Sequence, residues 1–158
     1  MFGLSNDELR VFTDGPGVIV YNVDMGTTQE GYLQFGDIPG GAGDRVGLVL
    51  KKQATTELCD AVFVMWEPAT NTVRVQLCEG AGPNVTVGGE ATVAPGIAFL
   101  SARMSNTGRV EVFAGASALT ATCVLDVNVA WTNAGGGGYV GIAAVGATGS
   151  IISKFGAQ

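Results

Sequence analysis

Between Ala61 and Cys78 the chain spells out two strands and the turn that joins them, and this hairpin constrains the fold more than any other stretch. In the second strand Val73, Val75 and Leu77 alternate with Arg74 and Gln76, the two-residue period of a strand with one buried face. In the first, Ala61, Val62, Phe63, Val64, Met65 and Trp66 are apolar without a break, as a central strand covered on both faces requires. Glu67-Pro68-Ala69-Thr70-Asn71 lies between them, with Pro and Asn where a tight turn needs them.

The same pattern recurs along the chain. Segment 45–51 sets Val46, Leu48 and Leu50 against Arg45, Gly47, Val49 and Lys51. Segment 97–104 sets Ala98, Leu100, Ala102 and Met104 against Ser101 and Arg103, and the turn Ser105-Asn106-Thr107-Gly108 leads into 109–113 with Val110 and Val112 inward. Weaker strand patterns occupy 9–13, 18–23, 29–36, 84–88, 117–124, 127–131, 138–145 and 150–155. No sustained helical period interrupts them. Strands at this spacing, with 25 glycines and 5 prolines to turn the chain, predict an all-β antiparallel β-sandwich of jelly-roll type. The predicted core comprises Val46, Leu48, Val62, Val64, Trp66, Val73, Val75, Leu100, Val110, Val112, Val140, Ile142 and Phe155. Pro39 to Gly43 and Gly135 to Gly138 are loops within that unit, because strand pattern resumes after each. Residues 1–158 therefore read as one domain with a short lead-in over 1–8.

Charge narrows the partners. Eight basic and 14 acidic residues give a net charge of −6, and Lys51-Lys52 is the sole adjacent basic pair. Backbone recognition of nucleic acid needs clustered cations, so no nucleic-acid partner is expected. No apolar run is long and glycine-free enough to predict membrane insertion. Charged residues make up only 14% of the chain. Much of the outer surface then falls to small apolar and neutral residues, a face suited to covering by neighbouring copies. The chain starts Met1-Phe2-Gly3-Leu4, with neither a basic nor a long apolar leader segment, so synthesis in a cytoplasm without a signal peptide is expected. Cys59, Cys78 and Cys123 are an odd number; a 59–78 bridge across the hairpin is geometrically open, but reduced, inert thiols are the expectation.

Catalytic chemistry is not legible. The chain has no histidine, which excludes Ser-His-Asp and Cys-His sets and leaves a zinc site three thiolates and carboxylates. Glu67, Glu79, Glu90, Glu111 and Asp126 stand apart as solvated residues, and no strand carries two alternating acids for glycoside hydrolysis. Gly80-Ala81-Gly82 and Gly135 to Gly138 lack the Gly-Lys-Ser/Thr ending of a phosphate loop. Asn84-Val85-Thr86 fits a glycosylation sequon and reads as a turn.

Several segments, in order, resemble laminin-G-like domains of the concanavalin A-like superfamily. They are Leu9-Arg10-Val11 with Val18-Ile19-Val20-Tyr21, Gln29 to Phe35, Val46-Gly47-Leu48-Val49-Leu50-Lys51, Val64-Met65-Trp66, Val110 to Gly115, and the Trp131–Gly138 stretch with the strands after it. The resemblance implies a jelly-roll sandwich, and such domains usually begin with a further strand than the eight residues before Leu9 provide. It does not decide the function, because this architecture serves many, and two readings stand, the first drawn from the low charge, the absent leader segment, the missing catalytic set and the short start. The first is a non-catalytic structural subunit packing in many copies, such as a virion decoration, capsid-accessory or fibre protein, with 9–13 and 150–155 as docking edges of a homo-oligomer or lattice. The alternative is a lectin-like carbohydrate-binding module. Lectins of this fold hold calcium with loop oxygens, for which Asp24, Asp37, Asp44, Asn71, Asn106 and Asn133 are the donors present, and stack an aromatic on the sugar. Trp131, Tyr139 and Asn133 are the carbohydrate-binding candidates under that reading, with Trp66 assigned to the core.

Overall fold

The computed structural model describes residues 2–5, 8–11, 15–21, 23–38, 40–54, 59–80 and 82–158, with backbone alone for 2–5, 8, 10 and 11. Thirteen strands occur among these residues, and no helix. They are β1 (Phe2–Ser5), β2 (Glu8–Val11), β3 (Pro16–Val20), β4 (Gln29–Phe35), β5 (Arg45–Lys52), β6 (Ala61–Glu67), β7 (Thr72–Cys78), β8 (Val85–Thr92), β9 (Phe99–Met104), β10 (Arg109–Gly115), β11 (Thr122–Asn128), β12 (Tyr139–Val145) and β13 (Ile151–Ala157). A seven-stranded sheet runs β1-β2-β13-β4-β9-β10-β11, and a six-stranded sheet runs β3-β12-β5-β6-β7-β8. Every pairing is antiparallel. This is the predicted jelly-roll sandwich.

The core lies between the sheets. Leu33, Val46, Leu48, Leu50, Val62, Val64, Val73, Val75, Leu100, Met104, Val110, Val112 and Val140 are fully buried there. All predicted core residues are buried except Phe155, which is half-buried and packs on the core's margin. The predicted hairpin forms as written: β6 pairs with β7 from Ala61↔Cys78 to Glu67↔Thr72, and Asn71 takes the left-handed conformation (φ 53°) that closes the turn. β6 is buried along its whole length because its outer face has a cluster of its own, in which Val49, Phe63, Met65, Cys78 and Ala143 pack with Val18 and Cys59.

Four expectations are corrected. The lead-in carries a strand that was not among those expected: β1 forms within it and pairs with β2. Segment 150–155 is no docking edge, since β13 lies between β2 and β4, and β2 is itself flanked by β1 and β13. The edges are β1, β11, β3 and β8. Segments 117–124 and 127–131 are not two strands; 117–120 is a turn closed by Thr120 N–H donating to Ser117 O, and one strand, β11, follows to Asn128. Finally, Cys59 and Cys78 are joined in a disulfide, where reduced thiols were expected; the β6–β7 register puts Cys78 opposite Ala61 and brings it beside Cys59. Cys123 is free and exposed on β11.

Candidate functional site

The outer face of the seven-stranded sheet carries an ordered set of side chains, and strand register explains it. Residues Glu30, Tyr32 and Gln34 of β4 point outward, because Gln29, Leu33 and Phe35 point into the sandwich. Register then places Arg103 opposite Glu30 and opposite Glu111, with Asp126 beyond. The next row runs Tyr32, Ser101, Phe113, and the third places Gln34 opposite Phe99. A charged row therefore borders an aromatic one.

Each row is held in place. Arg103 donates from Nε and Nη2 to Glu111 Oε2 at 3.1 and 2.6 Å, and Arg109 forks onto Asp126 at 2.9 and 2.7 Å. Tyr32 and Phe99 stack with centroids 5.9 Å apart and planes 21° off parallel. Gly156 on β13 lies opposite Tyr32, and a Cβ there would come within 2.3 Å of the tyrosine ring, so only glycine lets the ring lie over that strand. Tyr32 stays 39% exposed. Two shallow hollows of about 290 and 390 Å³ meet at Glu30, one floored by Phe99, Ser101 and Phe113, the other by Tyr32, Gly156 and Gln158.

At one end of the sandwich a second polar assembly fixes the glycine loop. Lys51 is fully buried with φ 53°, so its side chain leaves the alternation of β5. Its Nζ donates to the carbonyls of Thr27 (2.7 Å), Gly136 (2.9 Å) and Ala134. Buried Gln29 accepts from Lys51 N–H (2.7 Å) and donates to Gly138 O (2.8 Å) and Gly26 O (3.2 Å). Gln53 donates to Lys51 O and Gly137 O. Asp24 Oδ1 accepts from Gly26 N–H and Gly138 N–H at 2.8 and 3.0 Å.

A third hollow, about 200 Å³, opens on the outer face of the six-stranded sheet and is lined by Val18, Phe63, Met65, Ala143 and Val145, with Arg45 and Gln76 at its margin. Its lining is mainly apolar, which suits a hydroxyl-rich ligand less than the mixed face around Tyr32 does.

No family model and no curated protein matches the sequence. Solved structures do match. The carbohydrate binding module CBM66 from Bacillus subtilis superposes with a TM-score of 0.76 over 100% of this chain and 91% of its own, at 9% identity. The fold is a concanavalin A-like jelly roll. The legume lectin-like domain from Entamoeba histolytica (TM-score 0.65, 11% identity, 99% of this chain and 86% of its own) shares this concanavalin A-like fold. So does the VIP36 exoplasmic/lumenal domain in its Ca2+/Man3GlcNAc-bound form (0.61, 15%, 99% and 80%).

Within this jelly roll the residues singled out in the sequence fall in different places. Trp131 is 8% exposed and belongs to the main core, so its ring is not open for stacking. Asn133 is exposed, and its carbonyl accepts from Gly136 N–H; Tyr139 opens β12, half-buried, opposite Lys52. Of the oxygen donors, Asp24, Asn106 and Asn133 lie near the glycine loop. Asp37, Asp44 and Asn71 sit at the opposite end, where Gly146 faces Asp44 and Gly40 faces Pro68. Among the described residues no three His, Cys, Asp or Glu side chains gather as a metal-binding group.

The acids are less isolated than their spacing implies. Glu67, read as solvated, is 9% exposed and faces Arg45 and Arg74 at 3.7 and 3.1 Å. Glu111 and Asp126 become cross-strand neighbours joined through Arg109. Hydrogen bonds from Arg109 hold the Asp126 carboxyl below the usual carboxylate range, the reverse of what a general acid needs.

Asp24 yields a pH prediction. The Gly138 and Gly26 N–H groups hold its carboxyl below the ordinary 3.8. A lowered acid contributes stability that is present above its unfolded value and lost as pH falls through the folded one. The amide of Gly138 should therefore keep its exchange protection down to pH about 4 and lose it at lower pH. A side-chain titration by NMR with a midpoint at or above 3.8 would contradict this assignment.

Proposed function

We propose that this domain is a non-catalytic carbohydrate-binding module whose ligand lies on the outer face of the seven-stranded sheet, over Tyr32, Phe99 and Phe113. The observation that carries the reading is the juxtaposition of an aromatic row with a charged row. A sugar ring has an apolar C–H face that packs on an aromatic ring, and a rim of hydroxyls. Glu30, Arg103 and Glu111 offer both acceptors and donors to such a rim. Solved neighbours support the reading as proteins of this fold that bind carbohydrate. The assembly reading loses both docking edges assigned to it, since β2 and β13 lie inside the seven-stranded sheet. A Cys59–Cys78 bridge suits an oxidising compartment better than the cytoplasm.

A glycan array probed with the wild type and with Tyr32→Ala tests this. The wild type should bind a defined group of glycans. Tyr32→Ala should lose at least about tenfold in affinity, equivalent to about 1.4 kcal/mol, while the melting temperature falls by no more than roughly 6 °C, the loss of one aromatic pair. Equal binding by the two proteins, or no binding by the wild type, counts against the reading.

A further inference from the structure

We infer that the Lys51 ammonium is the built-in cation of the glycine loop, and that this end of the sandwich takes no calcium. The inference concerns the loop end and does not depend on the glycan-binding face. Calcium is present in one neighbour of this fold, the VIP36 domain, and Asp24, Asn106 and Asn133 are the candidate oxygen donors at this end of the sandwich. The donor set here does not fit that ion. Three carbonyl oxygens from two separate segments, those of Thr27, Ala134 and Gly136, converge on one point, and Lys51 Nζ stands there. An ammonium has three N–H donors, one for each carbonyl.

Calcium would need six to eight oxygens drawn from carboxylates, carbonyls and water. Asp24 is the acid at the loop, and its Oδ1 is already engaged by two backbone N–H groups, so one carboxylate oxygen is left to offer. A dication entering beside a fully buried ammonium would also meet its repulsion at low dielectric. The backbone is shaped for the lysine: a non-glycine residue at φ 53° persists where its surroundings over-determine it, and Gln29 and Gln53 grip the Lys51 N–H and C=O. Gly138 is fitted to the same unit, because a Cβ there would stand 2.9 Å from the Lys51 carbonyl carbon. Burial pulls the Lys51 pKa below the usual lysine range, and the three acceptors call for the protonated form.

Thermal melting of the wild type in EDTA and in about 10 mM calcium, enough for sites with Kd near 10⁻³ M, is the direct test. The two melting temperatures should agree within about 1 °C, whereas a bound ion would raise the second by roughly 3–6 °C. Such a rise overturns the inference. In Lys51→Met, amide exchange at Gly136 and Gly138 should accelerate by at least about tenfold; unchanged exchange overturns the lysine's role. The melting comparison needs no variant and stands even where Lys51→Met fails to fold. Glycan binding is read in neither experiment, so a failure here leaves the proposed sugar face to its own test.

Discussion

Leu48→Ala is expected to cost about 2–5 kcal/mol of stability, the range for emptying a large side chain from a packed core. Leu48 is fully buried on the inner face of β5, opposite Val64 on one side and Ile142 on the other. Its Cδ2 reaches the facing sheet at Gly31, where an added Cβ would stand 3.2 Å from Leu48 and 2.9 Å from Val140. The leucine thus fills space that the glycine leaves, and strands paired on both sides of β5 keep that space from collapsing when the side chain is removed. Urea unfolding measures the loss. A change within about 0.5 kcal/mol, the surface range, would mean that β5 is facing the wrong way.

Removing the Cys59–Cys78 bridge as the Cys59→Ser, Cys78→Ser double variant should cost about 3 kcal/mol. The bridge closes a loop with a sequence separation of 19, and the chain-entropy relation gives about 3 kcal/mol for a loop of this length. For a chain of this size that lowers the melting temperature by roughly 6–12 °C. Cys78 is also fully buried in the outer cluster with Phe63 and Met65, so a serine hydroxyl there adds to the loss. Cys123→Ser, by contrast, changes an exposed thiol and should leave stability unaltered. Alkylation of the denatured, unreduced protein should modify one thiol; three would contradict the bridge.

Much of the fold was legible in the sequence because it is written locally. The hairpin from Ala61 to Cys78 reads as two strands through its own alternation and its Pro-Ala-Thr-Asn turn, and the burial of β6 on both faces follows from its unbroken apolar run. Segment 150–155 is legible as a strand but not as an interior one, because position within a sheet is decided by partners distant in sequence. The candidate site was hidden for the same reason. Tyr32, Phe99, Ser101, Arg103 and Phe113 each look ordinary on their own strands, and only the pairing of β4 with β9 and β9 with β10 brings them together. Trp131 beside four glycines suggested an exposed platform, yet tryptophan's large apolar surface is buried where the core can take it. Lys51 carries one faint signal, a lysine pair closing a strand that is otherwise apolar from Val46 to Leu50. The left-handed turn that drives it among carbonyls has no sequence mark, since glycine or asparagine is the usual residue there.

The measurement that bears most directly on the sugar-binding face is a titration of the isotope-labelled wild type with the strongest array glycan, followed through its backbone amide NMR signals. Shifts concentrated on β4, β9 and β10 around Tyr32, Ser101 and Phe113, with the signals of Gly135 to Gly138 unmoved, are the predicted result. Shifts centred on the glycine loop or on the hollow beside Phe63 and Met65, with the β4–β9–β10 face silent, would contradict it.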